Sequence, residues 1–116
     1  MLFIEYPPCG TCKKAKKYLK EQGAVFDCRH IAEEPPTREE LETWREKSGL
    51  PLKRFFNTSG KKYRELALKE KLPTLSEAEQ FELLSSDGML VKRPILVKGD
   101  TVLVGFKEKE WEEALR

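Results

Sequence analysis

The feature that most constrains the fold is a C-x-x-C pair, Cys9 and Cys12, placed between a predicted strand and a predicted helix. Residues 2–6 before the pair are short, apolar and rich in residues that favour strands. After it, apolar residues recur at helical spacing, at Cys12, Ala15, Tyr18 and Leu19. Gly23 then provides a typical helix end. The pattern predicts a strand that leads into a helix through a cysteine-containing turn.

The two cysteines occupy positions that favour different chemistry. Cys9 directly precedes the helix, where free N–H groups and the helix dipole favour negative charge. Lysines follow within two turns, at Lys13, Lys14, Lys16 and Lys17. Such surroundings lower a cysteine pKa from about 8.5 toward about 3.5–7.5, and the thiolate is the reactive form. We therefore expect Cys9 to attack, inward-facing Cys12 to resolve a mixed disulfide, and the backbone N–H groups of Gly10, Thr11 and Cys12 to hold negative charge.

Two other uses of a C-x-x-C pair remain open at this point. A structural zinc site takes four Cys or His ligands, and only Cys28 and His30 remain, both in or near the second predicted strand. Two inert buried cysteines are the other alternative, which the preceding Pro7-Pro8 and the following lysines argue against. We assign no metal.

Composition limits the broad class of the protein. The length of 116 residues predicts one domain, residues 1–116. The 22 basic and 20 acidic residues nearly balance, so there is no general reason to expect direct nucleic-acid binding. There is no signal-peptide pattern and no apolar run near ~20 residues, so we expect a cytoplasmic protein with no membrane partner. In that reducing compartment a C-x-x-C pair is more often catalytic or redox-sensing than structural.

Residues 25–31 alternate weakly and predict a second strand, parallel to the first because a helix connects the two. Cys28 shares a strand face with Phe26, so we expect it to be a small core residue. His30 is the only histidine, and we assign it no catalytic role.

The region from about 37 to 86 predicts a helical insertion with charged outer faces. Two capping boxes mark helix starts, Thr37 with Glu40 and Ser76 with Glu79. Gly49 follows the first of these helices as a typical C-cap residue.

The last part of the chain returns to strands. Residues 95–97 and 101–104 flank Lys98-Gly99-Asp100, a hairpin turn, and a helix with Trp111 closes the chain. Pro94 precedes the third strand, a position where a proline removes no ladder hydrogen bond. The order predicts an α/β fold with one mixed sheet of four strands.

Several motifs together resemble the ArsC/Spx family of arsenate reductase-like proteins, which have a thioredoxin/glutaredoxin fold. They lie at residues 9–15, 34–41, 56–64 and 90–95. The 56–64 block is similar to a branch of small, poorly characterised Spx/ArsC-like bacterial proteins. The resemblance covers essentially the whole chain, with the helical insertion between strands 2 and 3.

The resemblance implies roles for individual residues. The catalytic cysteine of the glutathione- or glutaredoxin-linked arsenate reductases falls on Cys9, and Spx-type regulators carry a cysteine at Cys12. The arginine of the R-P-I motif falls on Arg93, whose guanidinium would lower the Cys9 pKa and hold an oxyanion in fork geometry. The fold also implies a cis Arg93–Pro94 bond, with Pro94 facing the Cys9 loop.

The resemblance implies a function together with an alternative. We expect a thiol–disulfide oxidoreductase or arsenate reductase-like, thiol-dependent reductase with no bound cofactor, reduced by glutathione, glutaredoxin or thioredoxin. Arsenate reduction itself is not favoured, because Asn57 and Phe106 stand where arsenate reductases carry two further arginines. The alternative is an Spx-like redox-sensing regulator that binds the RNA polymerase α subunit, with Gly49 near a functionally important Spx glycine.

Overall fold

A computed structural model describes all 116 residues. The main elements are β1 (Leu2–Glu5), α1 (Gly10–Glu21), β2 (Asp27–His30), α2 (Arg38–Ser48), α3 (Lys61–Glu65), α4 (Leu68–Lys71), α5 (Glu77–Ser86), β3 (Ile95–Lys98), β4 (Thr101–Val104) and α6 (Glu108–Ala114). Short 3-10 helices lie at Leu52–Phe55, Leu72–Thr74 and Gly88–Leu90. No helix is both long and apolar enough to cross a membrane.

The four strands form one mixed sheet in the order β2-β1-β3-β4. β1 pairs with β2 in parallel and with β3 antiparallel, and β3 pairs with β4 antiparallel. The predicted hairpin is present, but Lys98 belongs to β3, so the turn consists of Gly99 and Asp100 rather than of the three residues expected. The predicted thioredoxin-like β-α-β and β-β-α fold, with helices inserted between the second and third strands, is confirmed.

The sheet topology brings together two segments that are distant in sequence, the one after β1 and the one before β3. Leu2 lies opposite Val97 and Ile4 opposite Ile95, so the end of β1 adjoins the beginning of β3. The residues that follow β1 and those that precede β3 therefore emerge at the same end of the sheet.

The sheet has an apolar layer on each face because successive side chains of a strand point to opposite sides. Ile4 packs with the larger cluster formed by the inserted helices, whereas Phe3 packs with Leu19, Leu96 and Trp111 beneath α1 and α6. β1 is thus a central strand buried on both faces.

The helix starts and one helix end in the insertion follow the predicted local chemistry. In α2 the Thr37 hydroxyl accepts from the Glu40 N–H, and the Glu40 carboxylate accepts from the Thr37 N–H. Ser76 and Glu79 make the same reciprocal pair at α5. Gly49 ends α2 with φ +68°, a left-handed conformation in which glycine is favoured.

The end of the insertion approaches the sheet very closely at Gly88. A Cβ atom at this position would lie only 1.9 Å from the Ile31 carbonyl oxygen, so no side chain fits without moving the backbone. The Asp87 carboxylate accepts from the Met89 N–H at 2.9 Å and holds the turn that contains Gly88.

The second strand differs from the sequence-based expectation in two respects. It is shorter, because Val25 lies outside it and is 89% exposed. The expectation that Cys28 is a core residue was wrong, since Cys28 is exposed. β2 is an edge strand, and Cys28 lies beside the ion pair of Lys16 and Glu5 rather than beneath an apolar layer.

The His30 side chain is held by hydrogen bonds and by an aromatic contact within the protein. Its Nδ1 atom accepts from the backbone N–H groups of Ala32 and Glu33, each at 3.2 Å. Its ring meets the Tyr6 ring edge-on, with 5.8 Å between the ring centroids. These contacts fix the exit from β2.

Candidate functional site

The Cys9 loop is a tight connection between β1 and α1. The Cys9 N–H donates to the Tyr6 carbonyl at 2.8 Å, which closes a turn through the two prolines. Cys9 is the N-cap residue of α1 in an extended conformation, with φ −72° and ψ 126°. Its carbonyl accepts from the Lys13 N–H at 3.0 Å, and the first turn of α1 contains no acidic residue. The side chain therefore stands where the helix N-terminus favours a thiolate.

Cys9 is half-buried, and its surroundings favour the thiolate over the thiol. Burial alone would raise the Cys9 pKa, but hydrogen bonds to the sulfur outweigh it and hold the pKa below its usual value. The donors are the backbone N–H and the thiol of Cys12, the Arg93 guanidinium and the Thr11 N–H. Of the three predicted N–H groups, Thr11 and Cys12 thus contribute here, and the role of Gly10 stays a prediction.

Cys12 has the opposite character. It is fully buried on the inward face of α1, and burial raises its pKa to about 12. Burial is the largest cause, and the thiolate of Cys9 contributes to the same rise, since two negative sulfurs would repel each other. Partial compensation comes from the Tyr6 N–H and the charge of Arg93. Within one helical turn, the fold therefore distinguishes a thiolate-forming cysteine from a protonated one.

Arg93 directly precedes β3 and therefore lies at the same end of the sheet as the Cys9 loop. The peptide bond between Arg93 and Pro94 is cis, as the resemblance implied. The guanidinium stacks over the Tyr6 ring, with its Cζ atom 4.7 Å from the ring centroid. Its Nη1 atom is buried and has no hydrogen-bond partner. Arg93 thus lowers the Cys9 pKa and also carries a buried donor that no protein group occupies; the orientation of Pro94 toward the loop stays a prediction.

Cys9, Thr11 and Arg93 line one side of a cavity of about 340 Å³. Asn57 and Phe106, which the resemblance aligned with two further arginines of arsenate reductases, both line the same cavity. Both residues therefore lie beside Cys9, and neither supplies charge.

Phe106 forms part of the cavity wall and is held by the core. Its ring lies 5.0 Å from the ring of Trp111 and 5.7 Å from that of Tyr18, measured between centroids. The backbone of Asn57 is also fixed, because its N–H donates to the Leu90 carbonyl at 2.8 Å. Contacts with the rest of the protein therefore hold both of these cavity-lining residues in place.

Three basic residues of this cavity were missed from the sequence: Arg54, Lys92 and Lys107. For two of them the sequence offered a signal, namely closeness to a position where the resemblance expected an arginine. Arg54 stands three residues before Asn57, and Lys107 directly follows Phe106. A basic residue next to an uncharged one can supply the positive charge that the uncharged residue lacks.

Cys28 lies apart from this cavity, beside Lys16 and Glu5. Its pKa is raised, mainly because its sulfur is partly withdrawn from water although the residue as a whole is exposed. No group of three or more His, Cys, Asp or Glu side chains is arranged to hold a metal ion. The reactive-thiol features of the chain therefore coincide at Cys9.

Comparison with known proteins agrees with the fold. Residues 4–114 match the ArsC family. The chain is 62% identical to the uncharacterized protein YusI of Bacillus subtilis over 97% of its own length and 96% of that protein. It is 32% identical to the regulatory protein MgsR of Bacillus subtilis, over 95% of the chain and 86% of MgsR.

A solved structure extends the likeness to three dimensions. The crystal structure of an ArsC family related protein from Bacteroides fragilis is 54% identical, with a TM-score of 0.95 over 97% of this chain and 94% of that one. The family match and this likeness each cover almost the whole chain, including the Cys9 loop and the strand that follows Arg93. The protein therefore belongs to the ArsC family.

Proposed function

We propose that the protein is a thiol-dependent oxidoreductase that exchanges disulfides through Cys9 and Cys12. The observation that carries this proposal is the contrast between the two cysteines, one with a lowered pKa and the other with a pKa of about 12. In the first step the Cys9 thiolate attacks a substrate disulfide. A mixed disulfide forms, the substrate S–S bond breaks, and the leaving thiolate takes a proton from water.

Resolution by Cys12 follows from the same electrostatics. Once Cys9 is part of a mixed disulfide it carries no charge, so one cause of the high Cys12 pKa disappears while Arg93 remains nearby. Cys12 can then lose its proton and attack the Cys9 sulfur. The second substrate thiolate leaves, and a Cys9–Cys12 disulfide forms. Two electrons pass from the protein to the substrate, and an external thiol reductant such as glutathione, glutaredoxin or thioredoxin restores the dithiol.

Arg93 supports this reaction as an activating residue. Its guanidinium donates to the Cys9 sulfur and carries a buried Nη1 atom with no protein partner. A buried donor of this kind is costly unless something accepts its hydrogen. A thiolate or the anionic group of a substrate is the natural acceptor at this position.

Trapping on a Cys12→Ser variant tests the proposal. Without the resolving thiol, mixed disulfides should accumulate at Cys9 when the variant meets disulfide substrates, and peptide mass spectrometry would locate them. Cys9→Ser is the matched control and should trap almost nothing. Trapping at Cys28 in both variants to the same extent would contradict the assignment.

A second candidate function is supported by the similarity to MgsR, a regulatory protein that the chain matches over nearly its whole length. In this alternative the Cys9–Cys12 pair is a redox switch, and the partner implied by the Spx resemblance is the RNA polymerase α subunit. Binding of purified α C-terminal domain to the reduced and oxidised protein would test it. A difference between the two forms supports a regulator, and no binding by either form would remove this alternative.

A further inference from the structure

The cavity next to Cys9 is strongly basic on its outer side. Besides Arg93, three cationic residues line it: Arg54, Lys92 and Lys107. No aspartate or glutamate lines the cavity. This local excess contrasts with the chain as a whole, whose net charge is only +2.

These cations are available to a ligand. None of the four takes part in a salt bridge, although the chain has ten such pairs elsewhere. Arg54 and Lys107 are exposed and Lys92 is half-buried. Like charges held close together repel, so an anion that enters the cavity relieves a repulsion as well as gaining hydrogen bonds.

The shape of the cavity indicates an organic ligand rather than a compact oxyanion. Of these cations, only Arg93 has a hydrogen bond to the Cys9 sulfur, whereas Val104 and Phe106 contribute apolar wall. A volume of about 340 Å³ is in the usual range for small organic ligands. An apolar stem beside Cys9 with carboxylates farther out would match this arrangement.

A second cavity of about 700 Å³ continues the first and shares Asn57, Ser59 and Arg93 with it. Its charged residues are partly neutralised within the protein, because Lys61 and Glu65 form an ion pair at 3.8 Å. The free positive charge therefore lies nearest to Cys9, and the second cavity offers room for a longer ligand.

We propose that the cavity selects cysteine disulfides flanked by carboxylates, whether these belong to a small acidic thiol or to an acidic peptide segment. The disulfide lies at Cys9, and its carboxylates lie against Arg54, Lys92 and Lys107. The inference rests on the exchange reaction proposed above and names its substrate class. It adds no redox step, because the two electrons and two protons move as described there.

The test compares single-turnover rates of the reduced protein with matched disulfides. One series contains N-acetylcysteine disulfide, its neutral diamide and cationic cystamine. The other contains symmetric disulfides of five-residue peptides with a central cysteine flanked by aspartate, asparagine or lysine. Neighbouring charge alters the pKa of the leaving thiol and therefore the intrinsic reactivity of each disulfide. To correct for this, each rate is divided by the rate at which the same disulfide reacts with 2-mercaptoethanol.

After this normalisation the acidic substrates should react about tenfold faster than the basic ones at low salt, from the combined effect of a few exposed ion pairs. The ratio should fall toward one as salt screens the charges. Arg54→Gln and Lys107→Gln should each lower it about two- to threefold. Lys109→Gln, an exposed lysine outside the cavity, removes the same charge and should leave the ratio unchanged.

The two series also identify the source of the substrate. A larger ratio for the peptides supports a peptide that extends into the second cavity, and equal ratios support a small acidic thiol. A ratio of one, or a ratio that Arg54→Gln and Lys107→Gln leave unchanged, would overturn the inference. If even the neutral disulfides fail to react at Cys9, the proposed exchange function fails with it.

Discussion

Replacing Arg93 with glutamine should make the Cys9 thiol markedly less reactive at neutral pH. The Cys9 sulfur accepts from two donors on Cys12, from Thr11 and from Arg93, and only the arginine carries a charge. A hydrogen bond to a charged group contributes about 1.5–3 kcal/mol. Because Cys9 is half-buried and three donors remain, the lower end applies, which is close to tenfold in an equilibrium. At a pH below the Cys9 pKa, the variant should therefore form about tenfold less thiolate.

The assay is the rate of alkylation by iodoacetamide across a pH series, in a Cys28→Ser background that removes the exposed thiol. Cys12 should not interfere, since it is buried and its pKa is about 12. The Arg93→Gln rate profile should shift to higher pH. Arg64→Gln is the matched control, because Arg64 is exposed and lines no part of the Cys9 cavity. An unchanged profile for Arg93→Gln, or an equal shift for the control, would refute the reasoning.

Three further results are expected. Mild oxidation should join Cys9 to Cys12 and spare Cys28, which lies outside the cavity; mass spectrometry showing a dominant link to Cys28 would contradict this. Arsenate turnover with glutaredoxin should stay weak at micromolar substrate, because Asn57 and Phe106, which the resemblance aligns with two further arginines of arsenate reductases, are uncharged; robust turnover would count against it. Gly88→Ala should lower the free energy of unfolding by about 1–3 kcal/mol or more in urea titrations, because its Cβ has no room. Gly10→Ala, with no atom within 4 Å of its Cβ, is the control, and an equal loss there would contradict the steric explanation.

The sequence predicted best where local pattern and burial agree. The buried positions of α1, including Cys12 and Ala15, follow directly from the helical spacing. The capping boxes at Thr37 and Ser76 were equally predictable because each needs only residues within one turn. Both features depend on contacts that are close in sequence.

Predictions that needed the sheet order were weaker. Cys28 shares a strand face with Phe26, as a core residue would, yet the sequence does not say that β2 lies at an edge with a lysine and a glutamate beside that position. Arg54 and Lys107 were missed for a related reason. They come from the insertion and from the start of α6, and only tertiary packing brings them to the cavity of Cys9.

The antiparallel pairing of β1 with β3 has a consequence for the time at which this thiol becomes reactive. Cys9 is synthesised among the first residues, whereas Arg93 follows only after the whole helical insertion. Until β3 adds to β1, Cys9 is without its guanidinium donor, and its pKa is lowered less than in the folded protein. A nascent or unfolded chain therefore carries no specially activated thiol. The full set of donors that lowers the Cys9 pKa is therefore assembled only when folding is complete.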